Sequence, residues 1–233
     1  MKSSLVIFHN VNCRPSDITA FRGEINRLLD NADDFFHNHD DNAKGGLIYR
    51  YPLIQFRSVE GKAAIYAINE AADRLLQILS AGFLPSKYSE NYQVQSKKVN
   101  IEMIKNPKVY RLNHFLPFDN RNYNKYKDLE SLSDRAALIE QVTANHILNF
   151  CREVGFEVPD RSLKVVLKNL GSEAEQPIKG AKTLCFTLTF LANIDLPDHL
   201  GLGRVKAQGY GILKEVYVNT GKPIGVAKAE KLA

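Results

Sequence analysis

The spacing of apolar and polar residues changes several times along the first part of the chain, and each change marks a new element. Residues 3–11 are apolar enough to predict a strand buried on both faces. After Pro15 and Ser16, apolar side chains recur at helical spacing through Leu29, which predicts an amphipathic helix. The pattern continues with strands at 47–58 and 62–68, a helix that begins after Asn69, and a strand at 92–96. This βαββαβ order is that of a ferredoxin-like unit.

The second part of the chain begins in a similar way and carries more strands. Its pattern predicts strands at 97–104 and 108–114, a polar loop at 120–127, a long helix from Ser133 to Gly155, strands at 162–169 and 181–193, and a last strand at 210–218. We therefore predict an α+β protein with two tandem ferredoxin-like (βαββαβ, RRM-like) domains. They span residues 1–96 and 97–221, and 222–233 form a tail.

A glycine-rich loop lies before the last predicted strand. In Gly201-Leu202-Gly203-Arg204-Val205-Lys206-Ala207-Gln208-Gly209-Tyr210-Gly211, two Gly-x-Gly pairs enclose two cations. Such a loop can direct several N–H groups at a phosphate, so we expect it to bind a phosphate backbone. A dinucleotide site is excluded because Lys206 replaces the third glycine, and a Walker loop because no Gly-Lys-Ser/Thr follows. A glycine-rich hairpin that only packs is the alternative. The candidate RNA-binding residues here are His199, Gly201, Gly203, Arg204, Lys206, Gly209 and Gly211.

The charge distribution favours a polyanionic partner. Residues 1–96 hold 10 Lys and Arg against 11 Asp and Glu, so the net charge of +5 comes from residues 97–233. The predicted loop at 120–127 interleaves lysines with tyrosines, and Lys125 and Tyr126 are RNA-binding candidates there. Three widely spaced cysteines without a C-x-x-C pair indicate reduced thiols in a cytoplasm. The first apolar run is too short for a signal or a membrane span.

The segment His37-Asn38-His39 concentrates the groups that could do chemistry. Two imidazoles that titrate near neutrality can serve as base and acid in RNA transesterification, which needs no metal ion or other cofactor. The same pair with a neighbouring aspartate could instead bind a divalent metal, and a solvated acidic loop is the third interpretation. Tyr49 and Tyr51, on the strand that follows, could stack on a base, hydrogen-bond a phosphate or simply pack in the sheet.

Together these stretches resemble a known family. The glycine-rich loop is similar to the C-terminal motif of the CRISPR repeat-processing endoribonucleases, the sixth of the CRISPR-associated proteins, in the RAMP superfamily. The resemblance extends to Tyr51-Pro52-Leu53-Ile54-Gln55-Phe56, Asn122-Tyr123-Asn124-Lys125-Tyr126 and Pro197-Asp198-His199-Leu200-Gly201-Leu202-Gly203. It implies an endonuclease of antiviral defence that binds CRISPR repeat RNA in the precursor transcript, cleaves it without metal, and leaves a 2′,3′-cyclic phosphate.

The resemblance also implies roles for particular residues. His37 and His39 match a catalytic His-x-His pair that follows the first helix, and the supporting tyrosine corresponds to Tyr49 or Tyr51. The family lysine that stabilises the transition state has no counterpart in the first helix, which leaves Lys44 or Arg27 for that role. The protein is expected to be a monomer or homodimer that can join a CRISPR effector complex. A non-catalytic RNA-binding subunit and a metal-dependent hydrolase that uses His37 and His39 remain the alternatives.

Overall fold

The computed structural model describes residues 1–29, 36, 51–178 and 181–217. The helices and strands in these ranges are, in chain order, β1 (Lys2–Asn12), α1 (Ile18–Leu28), β2 (Ile54–Val59), β3 (Lys62–Ile68), α2 (Glu70–Ser80), α3 (Ser86–Ser89), β4 (Tyr92–Lys98), β5 (Met103–Phe115), α4 (Asn120–Asp128), α5 (Leu132–Glu153), β6 (Val165–Ile178), β7 (Ala181–Ile194) and β8 (Ile212–Glu215). None of these helices is both long and apolar enough to cross a membrane.

The first unit is a four-stranded antiparallel sheet with strand order β2-β3-β1-β4. Strand β1 lies inside the sheet, with Ser3 opposite Ile68 of β3 and Lys97 of β4. Its buried face packs on α1 and α3 through an aromatic cluster, in which the Phe8 ring centroid lies 6.0 Å from that of Phe21 and 5.3 Å from that of Tyr88. Strand β2 is an edge of this sheet, so its outer backbone groups need other partners.

The second unit repeats this strand order, but it has a loop in place of one helix. Its sheet has the order β6-β7-β5-β8, which is the order of the first sheet when the strands of each unit are counted from one. Helix α5 follows the first strand, as α1 does in the first unit, but the chain between β7 and β8 forms the glycine-rich segment where the first unit has α2. The predicted α+β fold of two tandem ferredoxin-like units is confirmed. The predicted boundary after residue 96 stays a prediction, and β4 continues to Lys98.

The segment that carries the RNA-binding candidates Lys125 and Tyr126 differs from its prediction. Residues 120–127 were expected to form a polar loop, but they lie in helix α4. Asp119 is its N-cap and accepts a hydrogen bond from Asn122 N at 2.7 Å, while Tyr126 supplies the buried contact. Asparagines and tyrosines have low helix propensity, so here capping and tertiary packing outweigh propensity.

The cap of α4 gives a first prediction. Asp119→Ala should lower the free energy of unfolding by about 1 kcal/mol, because the cap acceptor of a nine-residue helix is lost. Asp119→Asn keeps an acceptor oxygen and is the control. Urea denaturation of the three proteins measures the difference, and equal midpoints would show that the cap does not stabilise α4.

Candidate nucleic-acid interface

The glycine loop, residues 201–211, joins the two units. At its base, Leu202 N donates to Gly211 O at 2.9 Å, and Gly211 N donates to His114 O of β5 at 2.9 Å. At its tip, Ala207 O accepts a hydrogen bond of 2.9 Å from Phe56 N of β2. The loop therefore belongs to the second unit and covers the edge strand of the first. It supplies a backbone acceptor to the N–H of Phe56 on β2.

Close packing explains the glycines of this loop. Gly211 has φ +62°, and a Cβ atom there would lie 1.8 Å from Leu202 O, a backbone atom on the opposite side of the loop. Gly209 has φ +85°, and its Cβ would lie 2.3 Å from Ile18 Cδ1 of α1. At either position a Cβ atom would come too close to its neighbour unless that neighbour moved. The backbone also has a positive φ there, which residues other than glycine rarely adopt. All four predicted RNA-binding glycines of the loop are buried: Gly201, Gly203, Gly209 and Gly211.

A fully buried arginine holds the loop against the first unit. Arg57 of β2 is 0% exposed. Its Nη1 donates to Lys206 O at 2.8 Å and to Phe56 O at 2.9 Å, while Nε and Nη2 both lie 3.2 Å from His199 O. No carboxylate of the described residues pairs with it, and burial lowers the pKa of Arg57 to about 10. Carbonyl dipoles therefore stabilise this charge, and the same contacts fix both ends of the segment 199–206.

Tyr51 and Gln55 complete this inter-unit network. The Tyr51 hydroxyl donates to Gly201 O at 2.7 Å and accepts a hydrogen bond from Gln55 Nε2 at 2.8 Å. Gln55 Oε1 in turn accepts from Gly201 N at 2.9 Å. The Tyr51 ring packs on Phe150 of α5, with centroids 5.3 Å apart, and burial raises the pKa of Tyr51 well above its usual range. These surroundings indicate a structural tether and do not favour proton transfer by Tyr51.

The other candidates for catalysis lie outside the described residues. They are His37, His39 and Tyr49, together with the alternative cation Lys44. Their predicted roles stay predictions. Among the described residues, no group of three or more His, Cys, Asp or Glu side chains could hold a metal ion.

The charged candidates of the loop have different surroundings. The Arg204 side chain is exposed, and its Nη1 donates to Phe118 O at 3.0 Å. Lys206 Nζ turns inward, where it donates to Gly203 O at 2.9 Å and lies 5.2 Å from the centroid of the Tyr51 ring. Burial lowers the pKa of Lys206. Arg204 is thus placed to meet a phosphate from solvent, whereas Lys206 stabilises the loop from within.

The backbone of the loop has unused hydrogen-bond donors. The amides of Val205, Lys206 and Ala207 are consecutive, and none of them donates to an acceptor among the described residues. These three residues are only partly buried. Successive unpaired N–H groups beside an exposed guanidinium are the kind of donors that anion-binding loops use. Binding of a phosphate by this loop stays a prediction.

The three remaining candidates lie at other places. Tyr126 is buried, with its hydroxyl donating to Glu173 Oε2 at 2.9 Å, so its ring is not free to stack on a base. Lys125 is exposed on α4. His199 is partly buried at φ +66°, and burial lowers its pKa. It lines a cleft of about 630 Å³ between the two sheets, which sequence analysis did not anticipate because its walls come from strands far apart in the chain.

His146 lies beside the glycine loop on α5. Its Nε2 is 2.9 Å from Pro117 O and must donate to it, because a carbonyl only accepts. Its pKa is lowered to about 4, chiefly by burial and also by the charges of Lys206 and Arg204, with Asp119 acting in the opposite direction. The imidazole is therefore neutral at pH 7. His146 is therefore a packed, hydrogen-bonded histidine, as expected for a residue on the apolar stripe of a helix.

Sequence reasoning missed Gln55 and Arg57, the residues that hold the loop. Both are polar residues within the apolar run that becomes β2, which is the signal that could have drawn attention to them. Apart from contacts with nearby residues, their hydrogen-bond partners lie 142 to 149 positions later in the sequence. A polar side chain inside an apolar strand indicates a buried partner, but the sequence does not identify it.

Comparisons with known proteins agree with this architecture. Residues 1–105 match the family model of the Cas6b N-terminal domain, and residues 102–216 match that of the Cas6b C-terminal domain. A crystal structure of Cas6b superimposes with a TM-score of 0.80 at 23% identity, covering 92% of this chain and 99% of that one. A crystal structure of a CRISPR RNA processing endoribonuclease Cas6b gives a TM-score of 0.72 at 20% identity, covering 93% and 100%. These likenesses establish the fold.

A curated relative matches part of the chain. An uncharacterised protein of Methanocaldococcus jannaschii is 28% identical over 97 residues. The match covers 42% of this chain and 64% of that protein, so the aligned region is less than two thirds of its length.

Glycine substitutions test the close packing of the loop. Gly211→Ala should destabilise the protein by more than Gly209→Ala, because its Cβ would meet a backbone oxygen, whereas the atom nearest Gly209 is the flexible tip of Ile18. Gly23→Ala is the control: it lies inside α1 with nothing within 4 Å of the added Cβ, and should stabilise by about 0.5–1 kcal/mol. Thermal unfolding ranks the three variants. A Gly211→Ala protein as stable as wild type would contradict the loop packing.

The buried imidazole of His146 predicts a pH dependence. Its folded pKa of about 4 lies below the ordinary 6.5, so between these values the unfolded chain binds the extra proton and stability falls as the pH falls. From pH 7 to pH 4 this histidine should account for a loss of up to roughly 3 kcal/mol. His146→Gln can still donate to Pro117 O but does not titrate. Denaturant unfolding at both pH values should show a smaller acid loss for the variant, and an equal loss would refute the assignment.

Proposed function

Because the chain belongs to the Cas6b family, we propose that it is a CRISPR RNA processing endoribonuclease that binds repeat RNA in the precursor transcript and cleaves it without a metal ion. The observation that carries the proposal is the row of free amides at residues 205–207 beside the exposed guanidinium of Arg204. A phosphodiester backbone supplies the acceptors that these donors lack.

The proposed reaction is transesterification within the RNA. A base removes the proton of a ribose 2′-OH, and that oxygen attacks the adjacent phosphorus. The bond from phosphorus to the 5′ oxygen of the next nucleotide breaks, and an acid protonates the departing oxygen. The products are a 2′,3′-cyclic phosphate and a 5′-hydroxyl. We assign base and acid to His37 and His39, and each role should contribute about 100- to 10,000-fold in rate.

The inter-unit network bears on the supporting tyrosine. Tyr51 is engaged with Gly201 O and Gln55, and its high pKa keeps it protonated. Of the two tyrosines that could support the reaction, we therefore propose Tyr49. Lys125, exposed on α4, and His199, in the cleft between the sheets, are proposed as outer RNA contacts.

A cleavage assay tests this proposal. Labelled repeat RNA from the CRISPR array of the same genome is incubated in EDTA with wild type, with the His37→Ala/His39→Ala double variant and with His114→Asn. His114 is an exposed histidine at φ +51°, a conformation that asparagine tolerates, and it serves as the matched control. We expect cleavage by wild type and His114→Asn, none by the double variant, and RNA binding by all three. A 2′-deoxy nucleotide at the cleaved position should stop the reaction.

Other outcomes would identify a different function. Tight binding of repeat RNA with no cleavage by any of the proteins would make this an RNA-holding subunit. Cleavage that EDTA abolishes and a divalent ion restores would make it a metal-dependent hydrolase. Affinity that stays constant between low and moderate salt would contradict phosphate binding by the loop.

A further inference from the structure

Helix α1 carries an arginine, Arg22, that has no partner among the described residues. The Arg22 side chain is partly buried, yet it makes no hydrogen bond or ion pair with any described residue. Burial lowers the pKa of Arg22, and no carboxylate of the described residues opposes that effect. A desolvated guanidinium is costly without an acceptor, so its placement favours an acceptor beyond the described residues.

The position of Arg22 on the helix directs it toward the glycine loop. Ile18 and Thr19, one turn earlier on the same side of α1, both meet this loop: Ile18 packs under Gly209, and Thr19 Oγ1 donates to Gln208 Oε1 at 3.3 Å. Helical side chains lean toward the N-terminus of their helix. From these helical positions we expect the guanidinium of Arg22 to extend over the turn that touches residues 208 and 209 of the loop.

A second polar group on the same side is also unsatisfied. Asn26 lies one turn after Arg22 and is 8% exposed, and its Oδ1 is buried without a hydrogen-bond partner. Arg22 does not donate to it. The Asn26 oxygen is an acceptor and does not itself favour an anion. The unused donors near this junction are the guanidinium of Arg22 and the N–H groups of residues 205–207, next to Gln208 in the chain, which have no acceptor among the described residues.

We propose that Arg22 binds a backbone phosphate of the RNA at the junction of α1 and the glycine loop. The identity of the anion as RNA rests on the proposed function, whereas the anion site itself rests on the unused donors. A guanidinium suits this role because its planar donors match two phosphate oxygens at once. The proposal concerns the binding of a phosphate by Arg22, a cation that sequence analysis did not consider when it offered Lys44 or Arg27.

Arg27, which sequence analysis also offered as the cation of the family, is the comparison on the same helix, because the proposal places the anion contact at Arg22 instead. It is five residues further along α1, about 140° around the helix from Arg22. It is exposed, and its Nε lies 3.3 Å from Gly23 O. Replacing either arginine removes one positive charge from the same helix, so only the location of the charge differs between the two variants.

The first experiment measures binding of repeat RNA against salt concentration for wild type, Arg22→Met and Arg27→Met. Methionine keeps the apolar stem of the side chain. Arg22→Met should bind about tenfold more weakly at low salt, and its log–log salt slope should be smaller by roughly 0.7, the value for one phosphate contact on a single strand. Arg27→Met should match wild type. Equal affinity and slope in the two variants would overturn the proposal.

The second experiment separates the site from the substrate. Pyrophosphate, added at constant ionic strength, should raise the melting temperature of wild type and Arg27→Met more than that of Arg22→Met. Without the anion, Arg22→Met should melt no lower than wild type, because it removes an unpaired desolvated charge. If no protein binds repeat RNA but pyrophosphate still discriminates Arg22→Met, the anion site is supported and the proposed function fails. If RNA is cleaved normally by Arg22→Met and pyrophosphate does not discriminate, the site is refuted and the proposed function stands.

Discussion

The packing of the two ferredoxin-like units against each other depends on one buried charge, that of Arg57. The guanidinium of Arg57 is enclosed in β2 and satisfied by carbonyl oxygens, two of which, from His199 and Lys206, belong to the other unit. A buried cation without a carboxylate is stable only if these oxygens stay where they are. The carbonyls in turn belong to the loop that covers the edge of β2. The position of the loop, the covering of the β2 edge and the burial of Arg57 therefore depend on one another. A shift in any one of them would disrupt the other two.

This constraint gives the glycine loop an inner and an outer side. The inner side uses glycines because Leu202, Arg57 and Ile18 leave no room for a Cβ atom. It also turns Lys206 inward, onto Gly203 O. The outer side is left with Arg204 and the free amides of residues 205–207. Packing of the glycines and the proposed RNA binding are therefore compatible, since the packed glycines leave Arg204 exposed and the amides of residues 205–207 without an acceptor among the described residues.

The fold was predictable from the sequence because its signals are local, whereas the site was not. Apolar periodicity and turn residues within short windows indicate βαββαβ in the first unit and a more strand-rich α+β unit after it, and the structure has two sheets of matching strand order. Helix α4 was missed because its stability comes from the Asp119 cap and the burial of Tyr126 rather than from propensity. The role of Tyr51 was ambiguous for a different reason: its hydrogen-bond partner is Gly201, 150 positions later, and no local pattern encodes such a pair.

The same network links the candidate chemistry to the loop. Tyr51 is the first described residue after the segment that contains His37 and His39, and it is fixed to Gly201 of the other unit at 2.7 Å. Only eleven residues lie between His39 and this anchor in the sequence. Displacements of about 1 Å can cost a hundredfold in rate when reacting groups must align. A polar tether between Tyr51 and the glycine loop would limit such displacements in the proposed reaction without taking part in proton transfer. A tyrosine whose pKa is raised by burial suits that structural role.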